Sequence, residues 1–402
     1  MKRFVFALCL LLLLTSCGAR SVDFQNSDNY CRIENNIYEA SVTGNRVFMI
    51  DRENSNCFEG FCRDPLCTHN SEFCLDNKMY WIHSVATDGE FLYSCGINAN
   101  LASNGITRQI YRVKPDFSDL TLLCTYEISG STSTELRVSD GYIWFMQGFF
   151  NDDYDPNRGV TERSDQYARL MRIPANGGKI EDFLGIDLDI CTKFYICGGS
   201  IFLINPDGTL DIIDISSKET RKIAADSFEG FPDTVAELSN EIFIETVETE
   251  NLTIDSASFS KTKVHLYKMT DGNFEKIADS DYSAVLGSDS IWLEEIDYSF
   301  LGTKNMPTGR PGETADCDYF RLDPRAVYEY NVNSGSIKDY TPGDGFSDGD
   351  SVRLIACAGG YLIGYISNYV DYYETGDSGL RICVIEPREG KLNIVGELKE
   401  GI

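Results

Sequence analysis

Cys57, Cys62, Cys67, His69 and Cys74 fall within eighteen residues. Three of these cysteines with His69 spell C-x4-C-x-H-x4-C, and a Cys3His set suits the soft tetrahedral coordination of zinc. The spacing matches no standard zinc module. Four cysteines this close in an exported chain also pair as two disulfides, with three possible connectivities; free or redox-active thiols are the third reading. Asp153, Asp155, Asn157 and Gly159 form a second constellation, a calcium-like loop over 152–159. Its glycine falls one place late for an EF-hand and no glutamate closes it, so a solvated acidic loop competes with calcium. Gly345-Phe346-Ser347-Asp348-Gly349 spells G-x-S-x-G, but a nucleophile elbow needs a later histidine and the last is His265. His83 and His265 lie in strand-like runs and read as packing residues. Adjacent acids such as Glu294-Glu295 face opposite sides of a strand, so they share no site. No P-loop, dinucleotide fingerprint or H-E-x-x-H is present.

The N-terminus gives the expected location. Lys2 and Arg3 precede an apolar run from Phe4 to Leu14, too short to span a bilayer. Leu14-Thr15-Ser16-Cys17 follows at once, the layout of a secretory signal. It resembles the bacterial lipoprotein lipobox. The resemblance implies cleavage before Cys17, diacylglycerol on its sulfur and anchoring in the lipid bilayer at the extracytoplasmic face. The alternative is an ordinary signal peptide with a chance cysteine. Residues 1–16 are thus expected as signal peptide, 17–30 as lipidated tether and 31–402 as one folded domain.

Losing Lys2 and Arg3 from 35 basic residues, against 63 acidic ones, takes the net charge from −28 to −30. Such an acidic excess argues against nucleic acid as a partner, because phosphate binding needs a Lys/Arg footprint. Aromatic residues at 12% and hydrophobic residues at 42% supply a sizeable core. Of the fourteen cysteines, Cys9 leaves with the signal and Cys17 takes lipid, so twelve remain, as disulfides or buried thiols.

The elements that must position these groups are strands. Helical periodicity is nearly absent, and a short motif repeats: two turn residues, one variable residue, then an apolar strand. Its copies are Asp88-Gly89-Glu90-Phe91, Asp140-Gly141-Tyr142-Ile143, Gly198-Gly199-Ser200-Ile201, Ser239-Asn240-Glu241-Ile242, Ser288-Asp289-Ser290-Ile291 and Gly359-Gly360-Tyr361-Leu362. Glu34-Asn35-Asn36-Ile37 is a weaker copy. Each strong copy has a short strand before it and further strands after, which makes four strands per repeat. The pattern predicts an all-β chain, a β-propeller of four-stranded antiparallel blades. Seven blades are favoured over six plus an N-terminal extension, with the apolar strands starting near 91, 143, 201, 242, 291 and 362.

Within a blade, A–B and C–D connections reach one face, and B–C and D–A connections the other. The A–B and C–D turns are short. Long segments fall between B and C, at 148–168, 248–263, 297–326 and 367–379, and read as functional loops. They are rich in Asp and Tyr, as in Phe149-Phe150-Asn151-Asp152-Asp153-Tyr154-Asp155. Tyr154, Tyr298, Tyr369 and Tyr372 are the candidate contacts for a glycan or protein ligand.

The Cys-x4-Cys-Thr-His element, with the lipobox and the repeats, resembles lipoproteins of clostridial bacteria that carry a β-propeller domain of unknown function, loosely similar to the YWTD type. The resemblance implies a fold and a location and supplies no catalytic residue. Two functions stand at this point. One is a non-catalytic binding or scaffold lipoprotein; the other is a carbohydrate-active or otherwise hydrolytic propeller using an Asp/Glu pair.

Overall fold

The computed structural model describes residues 30–33, 36–40, 47–50 and 58–59, then 82–398 except 101–104, 117, 128–134, 152–161, 255–256, 283, 288, 308–313, 359, 369 and 371–378. Its elements are strands and two 3₁₀ turns, Arg163–Asp165 and Ala225–Ser227. Among the described residues no helix is long and apolar enough to cross a membrane.

The strands follow the repeat. Blade 1 holds β1 (Tyr30–Ile33), β2 (Asn36–Ala40), β3 (Val47–Ile50) and β4 (Phe58–Glu59). Blade 2 holds β5 (Ile82–Thr87), β6 (Leu92–Asn100), β7 (Gly105–Val113) and β8 (Thr121–Glu127). Blade 3 holds β9 (Leu136–Ser139), β10 (Tyr142–Phe150), β11 (Gln166–Pro174) and β12 (Glu181–Asp182). Blade 4 holds β13 (Lys193–Cys197), β14 (Ser200–Ile204), β15 (Leu210–Asp214) and β16 (Thr220–Ile223). Blade 5 holds β17 (Phe231–Leu238), β18 (Glu241–Ile254), β19 (Ala257–Thr270) and β20 (Asn273–Ser280). Blade 6 holds β21 (Val285–Leu286), β22 (Ser290–Pro307), β23 (Thr314–Asn331) and β24 (Ile337–Pro342). Blade 7 holds β25 (Asp350–Ala358), β26 (Tyr361–Asn368), β27 (Arg381–Arg388) and β28 (Lys391–Leu398).

Every blade is an antiparallel meander of consecutive strands. The chain is a seven-bladed β-propeller. β25 of blade 7 lies against β2 of blade 1, so the ring closes without any blade borrowing a strand from the other chain end. Blades 6 and 7 are also joined at their outer edges, where β24 pairs parallel with β28. The Gly343 amide donates to the Leu392 carbonyl at 2.8 Å and the Ile394 amide to the Asp344 carbonyl at 2.9 Å.

Turn chemistry explains the repeat. Asp140-Gly141 (φ 51° and 75°), Gly198-Gly199 (54° and 71°) and Ser239-Asn240 (53° and 63°) all carry two positive φ angles. That is the type I′ requirement, which only Gly, Asn, Asp and similar residues meet cheaply.

Strand alternation then builds the core. On β10, Ile143 and Phe145 pack against blade 2, beside Tyr93 and Leu136. Trp144 and Met146 point the other way, against Phe194 and Ile201 of blade 4. A blade buried on both faces needs apolar residues at consecutive positions, which is why the second strands read as continuous apolar runs.

Side chains also tie blades at their inner strands. Ser84 Oγ accepts the Leu136 amide, Glu245 accepts the Ala284 amide, and the Tyr195 hydroxyl donates to the Asp233 carbonyl. The described cysteines Cys95, Cys124, Cys191, Cys197, Cys357 and Cys383 are free thiols. Cys95 and Cys124 sit in one row on either side of Ile110, two strand spacings of about 4.8 Å apart, beyond disulfide reach.

One expectation is corrected. Segments 248–263 and 297–326 are not irregular loops. β18 and β19 stay paired to Ile254↔Ala257, and β22 and β23 stay paired to Pro307↔Thr314. Both are two-stranded ribbons that outrun their blades. Beyond the blade their residues lack the apolar alternation of a half-buried strand, so they read as polar loops in the sequence. From Glu294↔Val327 to its end, the blade 6 ribbon runs thirteen residue pairs, about 40 Å of strand.

Candidate functional site

Most of the residues singled out in the sequence lie outside the described residues. These are Cys17, the cluster Cys57, Cys62, Cys67, His69 and Cys74, the calcium-like loop 152–159, and Tyr154, Tyr369 and Tyr372. Among the described residues no group of three or more His, Cys, Asp or Glu side chains is arranged to hold a metal ion. Gly345 to Gly349 lie in the junction between β24 and β25, not on a strand–turn–helix.

Tyr298 is described, and it leads to a polar cluster. It sits on β22 opposite Leu322, on the ribbon of blade 6. The Lys261 ammonium, from the ribbon of blade 5, stands 5.2 Å from its ring centroid. Lys261 also reaches Asp281 at 2.5 Å and Glu250 at 3.6 Å. Asp281 lies in the D–A connection that leads into blade 6. Its Oδ2 accepts the Ile296 amide at 2.8 Å, and its own amide donates to the Glu294 carbonyl at 2.7 Å. Ser280 Oγ accepts the Glu294 amide at 3.0 Å. The cluster therefore lies on the face reached by B–C and D–A connections.

Glu294 is the most perturbed acid there. Its side chain faces blade 7 and is 2% exposed. One carboxyl oxygen accepts the Leu354 amide at 3.1 Å, where a bulge interrupts the β25 ladder. The other oxygen, Oε2, is buried with no hydrogen-bond partner. Burial pushes the carboxyl up to about 8, a rise only partly offset by the Leu354 amide and Arg353. Glu295 points away and accepts the Tyr328 hydroxyl. The adjacent acids thus face opposite sides as expected, yet Glu294 is far from an ordinary surface carboxylate. A sequence signal existed: three residues after the repeat's apolar residue, blades 3 and 4 carry Met146 and Ile204, while blades 5 and 6 carry Glu245 and Glu294. Arg353 on β25 is exposed and stands over the Tyr282 ring at 5.3 Å.

A second cluster corrects the reading of His265 as a packing residue. It is fully buried but sits among polar groups. Nδ1 lies 2.6 Å from Asp279 and Nε2 3.2 Å from Glu248. The Lys276 ammonium bridges Glu229 at 2.7 Å and Asp279 at 2.9 Å. Burial opposes ionisation of Asp279, but hydrogen bonds from His265 and Lys276 hold its carboxyl below the usual range. The arrangement is an acid-rich polar cluster, three carboxylates around Lys276 and His265, on the side of blade 5 facing blade 4.

No family model matches the chain, and no curated protein matches it. Solved structures do resemble it. A Bacteroides uniformis protein assigned as a 6-phosphogluconolactonase is 12% identical, with a TM-score of 0.44, covering 92% of this chain and 96% of that one. The computationally designed Ika8 protein is 9% identical, with a TM-score of 0.42, covering 95% and 93%. The β-propeller domain of Cps50 (Swd1) from Myceliophteria thermophila is 10% identical, with a TM-score of 0.40, covering 86% and 94%. Likeness this distant says nothing about activity, since propellers host many functions.

Proposed function

We propose that this protein is a non-catalytic lipoprotein, anchored in the membrane through lipid on Cys17, whose propeller presents its B–C face to a glycan or protein ligand. One observation carries the reading: among the described residues the extended ribbons lie on one side. The ribbons of blades 5 and 6 leave the same face and are linked by the Lys261–Tyr298 contact, while the turns of the opposite face stay minimal. Rigid hairpins on a closed scaffold hold a binding surface with little ordering cost.

Hydrolysis is the weaker alternative. A glycosidase needs two carboxyls open to the substrate. In the Lys261 cluster Glu294 Oε2 is buried and both Asp281 oxygens are engaged, which leaves Glu250 as the one open acid on Lys261.

Two measurements test the proposal. Cys17→Ala should move the protein from the detergent phase to the aqueous phase; equal partitioning defeats the anchor. On glycan arrays and in pull-downs with the mature protein, Tyr298→Ala should weaken binding without lowering Tm. Loss of binding on changing the short A–B or C–D turns instead would place the ligand on the other face.

A further inference from the structure

We infer that the mouth of the central channel beside blade 7 binds a carboxylate-bearing ligand, held by the guanidinium of Arg353. The inference rests on the B–C face being the binding surface, and it names the chemistry of that surface.

Arg353 is the fourth residue of the innermost strand of its blade, counted from the side where the D–A connections enter. It is exposed and makes no ion pair among the described residues, its contacts there being the Tyr282 ring and the field of Glu294. Arg112 and Arg221 likewise carry no ion pair among the described residues, but they lie on the third and fourth strands of their blades, whereas Arg353 lies on an innermost strand. Arg137, Arg169, Arg172, Arg381 and Arg388 are each paired with a carboxylate.

Glu294 does not supply the missing partner. Its one engaged oxygen is committed to the Leu354 amide, and the other is closed in the seam between blades 6 and 7. Burial keeps it mostly protonated at neutral pH, so it leaves the charge of Arg353 standing. A guanidinium over an aromatic face keeps its in-plane N–H donors for a planar oxyanion, which it grips by two parallel hydrogen bonds.

A single guanidinium suits a monoanion. Lys261, the other cation of the cluster, already faces two carboxylates, Asp281 and Glu250, and has no charge to give a ligand. Among the described residues of the cluster, Arg353 is the one cation left to receive it. A single carboxylate matches that guanidinium, whereas a phosphate dianion would leave a second negative charge unpaired near Asp281.

Ligand-observed NMR on the mature protein tests this, with a set of small carboxylates at millimolar concentration, their matched methyl esters, and inorganic phosphate. Carboxylates should bind and their esters should not. Arg353→Gln should weaken that binding on the order of tenfold or more, as expected for losing charge-assisted hydrogen bonds, and Arg353→Lys should restore part of it. The absence of any carboxylate preference, equal or tighter binding of phosphate, or unchanged binding by Arg353→Gln each overturns the inference. Tyr298→Ala separates it from the broader reading. If that variant weakens ligand binding while Arg353→Gln does not, the binding face stands and the Arg353 site falls. If neither variant has an effect, both fall.

Discussion

Glu294→Gln should make the protein less sensitive to alkaline pH. Glu294 is enclosed between blades 6 and 7 and has one oxygen without a partner. Burial raises its carboxyl from 4.5 to about 8. The folded state therefore holds this proton more tightly than the unfolded chain. The resulting stabilisation is fully present below pH 4.5 and is lost as pH rises towards 8. In that window the slope is about 1.4 kcal/mol per pH unit, so about 4 kcal/mol disappears between pH 5 and pH 8. Glutamine keeps the shape and can still accept the Leu354 amide, but it does not titrate. Its buried NH₂ adds a cost that is the same at every pH. The other carboxylates titrate alike in both proteins and cancel in the difference. Paired thermal or urea unfolding from pH 5 to pH 8.5 should show the stability of the variant rising relative to wild type as pH increases. A gap that stays constant across the range refutes the assignment of a buried, protonated Glu294.

Other outcomes follow from the same geometry. Gly345 has φ +87°, and a Cβ there would come within 2.8 Å of Ile394 Cβ at the junction of blades 6 and 7. Gly345→Ala should therefore lower stability by about 1–3 kcal/mol, measured by urea unfolding; an unchanged midpoint would show that the close packing at the junction of blades 6 and 7 adds nothing to stability. Native alkylation at pH 8 should label Cys191 first among the described cysteines, because it is exposed while burial pushes the Cys124 thiol up to about 12 and raises those of Cys95 and Cys197. Labelling of Cys197 at a similar rate would contradict the packing between blades 4 and 5. If Cys57, Cys62, Cys67 and Cys74 form two disulfides, mass spectrometry of native protein should find four fewer thiols in that peptide. A stoichiometric zinc removable by chelators, with four free thiols, would support the metal reading instead.

The sequence alone determined what depends on local chemistry. A type I′ turn needs two residues at positive φ, so Asp140-Gly141, Gly198-Gly199 and Ser239-Asn240 announce their hairpins wherever they occur. Strands buried on both faces need unbroken apolar runs, so Ile143 to Met146 and Ile201 to Ile204 mark the second strands of blades 3 and 4. The blade count and the side of elaboration followed from repeat spacing and connection length. Only the tertiary structure decided which faces meet. Alternation gives a strand two faces but does not say what lies against either one. It could not tell that Glu294 looks into the seam with blade 7, that His265 lies buried among Glu248, Asp279 and Lys276, or that Lys261 reaches Tyr298 across two blades. A residue's charge state is set by burial and by partners distant in sequence. The carboxyl the sequence treated as ordinary is, for that reason, the one whose chemistry the fold changes most.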